Sequence, residues 1–95
     1  MDVKLAVRKA KESVQELFGE QIVSDPVLEE LEYDDEGKFW RITLGFFRVA
    51  DYPKPLQGRM ADVQALVGGV RRSFKVFKID DTTEKVVSVK DRELP

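Results

Sequence analysis

Phe39-Trp-Arg-Ile-Thr-Leu-Gly-Phe46 is the stretch that decides the fold. Its even positions are all apolar: Trp40, Ile42, Leu44 and Phe46. A period of two is typical of a β-strand that buries one face, so this stretch is predicted to be a strand with its even face in the core. The odd face should then meet solvent, and an aspartate in place of Thr43 is expected to be tolerated.

This strand belongs to a hairpin-like segment, residues 31–46, and a second segment, residues 74–89, follows the same plan. In each segment an apolar strand leads into an Asp-Asp turn, and a return strand follows a lysine. Gly37 is expected to supply a positive φ in the first turn. The second turn has no glycine, which favours a longer loop. Two such units predict a four-stranded antiparallel sheet.

The residues before the hairpins predict one amphipathic helix over residues 2–18. Asp2 is a suitable N-cap and Gly19 a suitable stop. The apolar residues recur at spacings of three and four, as one stripe of a helix does: Val3, Val7, Ala10, Val14, Leu17 and Phe18. This stripe needs a buried partner, and the sheet is the partner that the chain offers.

Residues 50–70 interrupt the strand pattern. Tyr52-Pro-Lys-Pro55 is unsuited to a central strand because two prolines remove hydrogen-bond donors, whereas residues 60–67 have the spacing of about two helical turns. The prediction is a single α+β domain, residues 1–95. It has one N-terminal helix packed across a four-stranded antiparallel sheet of two hairpins, with an irregular or short-helical insert at 50–70 between the second and third strands.

Composition limits the chemistry of this chain. Its 95 residues contain 16 basic and 18 acidic side chains, and neither cysteine nor histidine. Thiolate catalysis, imidazole acid–base catalysis and zinc sites built from those two residue types are therefore excluded. The sequence predicts a noncatalytic protein, with no catalytic residue, no cofactor and no metal. The N-terminus lacks the apolar run of a secretory signal, and no segment has the length of a membrane span, so a cytoplasmic location away from membranes is expected.

Aromatic residues on the odd face provide a first candidate binding surface. Phe39, Phe47 and Tyr52 are predicted to lie on the side of the sheet opposite the helix, where exposed apolar groups often mark a partner surface. The partner would be another protein or a second copy of the chain in a homodimer. Alternatively, the insert at 50–70 folds back and covers these rings.

Two charged segments provide further candidates. Six carboxylates fall within eight residues: Glu29, Glu30, Glu32, Asp34, Asp35 and Glu36. They form either a solvated strand face and turn or a docking surface for a basic partner, as in an immunity, antitoxin or inhibitor protein. Basic residues also recur among aromatics in the strand at 71–78, a pattern found in binders of single-stranded nucleic acid. The net charge of −2 disfavours that nucleic-acid interpretation.

The order of helix, hairpin and hairpin, together with residues 75–87, resembles the PepSY type of small α+β domain and, more broadly, the cystatin-like group. Ile79, Asp80 and Thr83 match the PepSY turn, whereas Asp81 and Glu84 replace its usual small residue and glycine. The resemblance covers residues 3–20 and 27–92. It implies a noncatalytic module, which in some relatives is thought to inhibit or hold proteases. The chain is also similar to small uncharacterised bacterial proteins that end in a comparable strand.

Overall fold

The structure is a computed structural model that describes residues 1–49 and 72–92. Its elements are helix α1 (Val3–Phe18), a short 3₁₀ turn (Gly19–Gln21), and strands β1 (Val27–Asp34), β2 (Phe39–Phe46), β3 (Ser73–Asp80) and β4 (Val86–Asp91). The strands form one antiparallel sheet in the order β1-β2-β3-β4. This arrangement confirms the predicted fold class. The predicted insert at 50–70 lies outside the described residues.

The core lies between α1 and one face of the sheet. It contains the fully buried residues Ala6, Ala10, Val14, Ile42, Leu44, Phe46, Phe77 and Ile79. β2 contributes three of these from its even positions, as its alternation predicted. β3 is a central strand, and its Phe77 and Ile79 face the helix while Phe74 and Val76 face the other way. The central position explains why β3 is apolar on both faces.

Helix α1 begins as predicted and then turns a slightly different side to the sheet. The Leu5 amide donates to Asp2 Oδ1 at 2.8 Å, which caps the helix. Ala6 is buried, whereas Val3 and Leu17 are exposed. Alanines at the contact let a helix backbone approach the sheet closely. The helix therefore packs with its small residues Ala6 and Ala10 against the sheet and leaves bulkier apolar residues at the edge.

The two hairpin turns share one design. Asp34 Oδ1 accepts from the Gly37 amide at 2.8 Å, and Asp80 Oδ1 accepts from the Thr83 amide at 2.8 Å. These backbone hydrogen bonds lower the pKa of both carboxyl groups. In each turn the fourth residue after the aspartate has positive φ, Lys38 at 57° and Glu84 at 61°. The expectation that Gly37 would take this conformation was wrong; the Phe39 ring occupies the space that a side chain there would need.

One helix does not cover the whole sheet. An α-helix with its side chains is about 10 Å wide, whereas four strands about 4.8 Å apart span roughly 14 Å. Helix α1 packs over β2, β3 and β4. On β1, the residues that point to the helix side remain exposed: Leu28, Leu31 and Tyr33. We call these three residues the β1 apolar row.

Candidate functional site

The face of the sheet opposite α1, here called the open face, carries three phenylalanines whose rings are covered by cations. Lys78 Nζ lies 3.8 Å from the centre of the Phe39 ring, and the Arg41 guanidinium lies 4.7 Å from it. Arg72 lies 5.7 Å from the Phe47 ring, and Arg92 lies 4.1 Å from the Phe74 ring. Cations at these distances are attracted to the ring faces. The predicted aromatic surface is therefore covered by side chains of the same chain.

Carboxylates of β1 pair with the three arginines among these cations across the open face. Arg72 pairs with Glu29 at 2.9 Å, and Arg92 pairs with Glu30 at 3.0 Å. Arg41 lies 3.7 Å from Glu32 and 3.6 Å from Asp34. The Arg92 guanidinium covers Phe74 on β3 and also reaches Glu30 on β1, so it must pass over β2. The Arg72–Glu29 and Arg92–Glu30 pairs reach across β2, and together with the Arg41 contacts they neutralise part of the acidic run.

Two small residues of β2 lie beneath this layer. Thr43 pairs with Glu30 on one side and Val76 on the other, and it is only 4% exposed. Its predicted exposure was wrong because the arginine and glutamate side chains above it exclude water. A Cβ atom on Gly45 would lie 3.0 Å from both Glu29 Oε1 and Phe74 Cε1. Glycine at this position therefore leaves room for the Glu29 and Phe74 side chains above it.

The structure places the other predicted site residues as follows. Phe39 and Phe47 are half-buried on the open face, and Tyr52 lies outside the described residues. Asp35 is 88% exposed in the first turn, where its carboxylate lies 3.3 Å from Lys38 Nζ. Glu36 is exposed in the same turn. The acidic run is thus divided between the open face of β1 and the first turn, and the two turn residues do not join the carboxylates on the strand.

The β1 apolar row was not among the predicted binding residues. Leu31 is 41% exposed although it pairs directly with Ile42, which is fully buried. Together with Leu28 and Tyr33 it forms an apolar strip beside the helix, on a strand with no further neighbour among the described strands. The signal that would have revealed it is the relative width of the two layers: one helix is too narrow for four strands, so an outer strand stays uncovered.

Asp81 joins the two turns at one end of the sheet. Its carboxylate accepts from Trp40 Nε1 and from the Tyr33 hydroxyl, both at 3.1 Å, and lies 3.3 Å from the Met1 main-chain nitrogen. The Asp81 amide donates to the Lys38 carbonyl at 3.0 Å. The indole hydrogen bond is the main cause that lowers the pKa of Asp81. Desolvation and the hydrogen bond to Asp81 raise the pKa of Tyr33.

Acidification should release this cluster. A carboxyl group whose pKa is lowered in the folded state stabilises the fold above its unfolded pKa and loses that contribution as pH falls through the folded value. Trp40 is the only tryptophan of the chain, so its fluorescence reports the change. We expect a transition centred below about pH 3.9, the ordinary value for aspartate, and its loss in Asp81→Asn. Asp35→Asn, in the equivalent turn position, should keep it. A transition that survives in Asp81→Asn would contradict this assignment.

The basic residues of the strand at 71–78 do not gather on one surface. Arg71 lies outside the described residues, and Arg72 and Lys78 lie on the open face. Lys75 points to the helix side, where it pairs with Asp91. Since these cations are divided between two faces and have carboxylate or aromatic partners, they do not form the continuous basic path that a nucleic-acid strand would follow.

Within residues 1–49 and 72–92, no group of three or more acidic side chains is arranged to hold a metal ion. Over the same residues, no helix combines the length and the apolar character that crossing a bilayer requires. Comparisons of the chain with protein-family models, with curated proteins and with solved structures found no match. The resemblance to PepSY-type and cystatin-like domains therefore stays a prediction.

Proposed function

We propose that this chain is a noncatalytic protein-binding or self-associating module that docks another polypeptide along β1. The observation that carries the proposal is the β1 apolar row, which the helix leaves exposed on an outer strand of the sheet. An outer strand offers unpaired backbone groups to an extended segment, and apolar side chains beside it supply the area that such a segment buries.

The comparison of the two sheet faces favours β1 over the open face. On the open face, Phe39 and Phe74 are already in contact with Arg41 and Arg92, which form ion pairs with β1 carboxylates. A partner there would first have to displace those ion pairs. Leu31, in contrast, presents a side chain that is 41% exposed, and burying that exposed part would contribute about 1 kcal/mol. Phe39 and Phe47 then act mainly as supports that position the cations.

A second candidate is an inhibitor-like or immunity-like protein that docks a basic partner through the acidic run. The observation in its favour is that Glu30 and Glu32 remain 58% and 68% exposed although each has an arginine within 4 Å. Their carboxylates therefore keep a free side for a further cation. Binding to nucleic acid or to a membrane is not part of either proposal.

Replacing Leu31 by asparagine tests the first proposal. Wild-type protein should retain a protein partner in affinity capture or form a concentration-dependent oligomer by light scattering. Leu31→Asn should weaken that association about tenfold, because the interface loses apolar burial and gains a buried amide, and about 1.4 kcal/mol of binding free energy corresponds to a factor of ten. Val87→Asn is the matched control: Val87 is a 55% exposed apolar residue on β4, at the opposite edge of the sheet, and its replacement should leave association unchanged.

Two results would contradict the proposal. One is a strict monomer that retains no protein at any concentration tested. The other is association that persists in Leu31→Asn and disappears in Phe47→Asp, because that pattern would assign binding to the open face.

A further inference from the structure

We infer that the occupant of β1 is an extended basic segment of another protein, in which basic and apolar residues alternate, added to the sheet as a fifth strand. This inference rests on the proposed function and specifies its partner. It follows from three features of β1: its regular half, the arrangement of its two faces, and the sign of its charges.

The regular half of β1 is residues 30–34. The pairing with β2 shifts between Leu28 and Glu30, which leaves Glu29 as an extra residue in a bulge. A bulge twists an edge and discourages pairing. From Glu30 to Asp34 the register is continuous, so these five residues offer an edge to which another strand can pair.

Over residues 30–34 the side chains divide cleanly by face. Leu31 and Tyr33 point to the helix side, whereas Glu30, Glu32 and Asp34 point to the open face. A strand added here would place its side chains opposite these positions on the same faces. Its helix-side residues would meet leucine and tyrosine, and its open-face residues would meet three carboxylates. Valine or isoleucine suits the first set, and lysine or arginine suits the second.

The same arrangement disfavours a second copy as the occupant. Every register that aligns two β1 apolar rows places carboxylates opposite carboxylates, because all three open-face residues of this half are acidic. Directly opposed like charges destabilise a strand pair. Glu32 is 68% exposed, so its charge is available to repel an acidic strand and to attract a basic one. The three carboxylates of residues 30–34 therefore determine the choice of partner by repulsion as well as by attraction.

β4 lacks this combination, although it is the other outer strand. Its Val86 and Val89 pack against the core under the helix, and its end carries charges of both signs, Lys90, Asp91 and Arg92. A bulge interrupts its pairing between Lys78 and Ile79 of β3. An added strand would find neither an uncovered apolar row nor a charge of one sign there.

A capped peptide in which lysine alternates with valine is the probe. We expect its addition to slow hydrogen exchange at those amides of residues 30–34 that point away from β2, and we expect a peptide with glutamate in place of lysine to have no such effect. Glu32→Lys should weaken binding roughly five- to tenfold, since an exposed ion pair contributes up to about 1 kcal/mol and the reversal adds repulsion. Asp35→Lys makes the same change of net charge in the turn, outside the row, and should alter binding by less than about twofold.

Three outcomes would overturn the inference, and each is distinguishable from failure of the proposed function. Equal protection by the lysine and glutamate peptides would show that charge does not select the partner. Protection of residues 30–34 that grows with protein concentration, without peptide, would assign β1 to a second copy. Absence of protection with either peptide, while Leu31-dependent capture persists, would show that the partner does not bind as a strand. In all three cases the protein-binding function itself would stand.

Discussion

Replacing Ile42 by aspartate is expected to unfold the protein. The Ile42 side chain is completely buried in the cluster that joins α1 to the sheet. A carboxylate there would lose its hydration without gaining a partner, which costs about 3–5 kcal/mol in protein cores. A domain of this size is typically stable by about 5–10 kcal/mol in total, so the substitution removes much or all of the free energy of unfolding. Far-UV circular dichroism and urea titration would measure the loss.

Leu31→Asp is the matched control for Ile42→Asp. The two positions pair directly across β1 and β2 and point to the same side of the sheet, yet Leu31 is 41% exposed and Ile42 is fully buried. Because an exposed carboxylate keeps its hydration, Leu31→Asp should change the free energy of unfolding by about 1 kcal/mol or less. If both variants unfold, residue 31 is packed in solution and the β1 apolar row is not a free surface.

The β2 alternation predicted much of the fold because its information is local. Successive side chains of a strand point to opposite faces whatever the rest of the chain does, so four apolar residues at even positions identify a buried face directly. The same reasoning predicted that α1 packs against that buried face. Hairpin connections, which join neighbours in an antiparallel sheet, predicted the β1–β2 and β3–β4 pairs, whereas the pairing of β2 with β3 is given by the structure.

The turns show where local patterns become ambiguous. The Asp-Asp repeat correctly indicated that residues 31–46 and 74–89 share a design, and the structure shows the shared element to be the first aspartate, Asp34 or Asp80, which accepts backbone hydrogen bonds. Glycine is the usual residue at positive φ, but lysine and glutamate occupy that conformation here. The aspartate side chain and the strand register together impose it, and neither is visible in residue identities alone.

The candidate binding surface was the hardest part to predict because it depends on contacts between distant residues. Glu30 and Arg92 are 62 residues apart in sequence, and their contact covers the open face that the alternation left bare. The β1 apolar row, conversely, is exposed because the helix stops short of it. Its residues look like any half-buried strand, since the sequence shows which side chains are apolar and not which of them a neighbour covers.

Thr43 is the residue at which this nonlocal cover has its clearest energetic consequence. By alternation it belongs to the solvent face of β2, but in the structure it lies between Glu30 and Val76 beneath the side chains that cross the sheet. The layer above it contains both charges of an ion pair, so a new charge at this position would interact with them at close range.

Thr43→Asp is therefore expected to destabilise the protein by about 2–3 kcal/mol, the range for a charged group left without full compensation in a poorly hydrated site. An aspartate there would compete with Glu30 for Arg92, so one carboxylate would always lack a cation. Thr43→Val keeps the branched shape and the strand preference without adding charge, and should stay within about 1 kcal/mol of wild type. Urea titration of both variants measures the difference. If Thr43→Asp unfolds no more readily than Thr43→Val, the Glu30–Arg92 pair does not close over β2 in solution, and the open face would again be accessible to a partner.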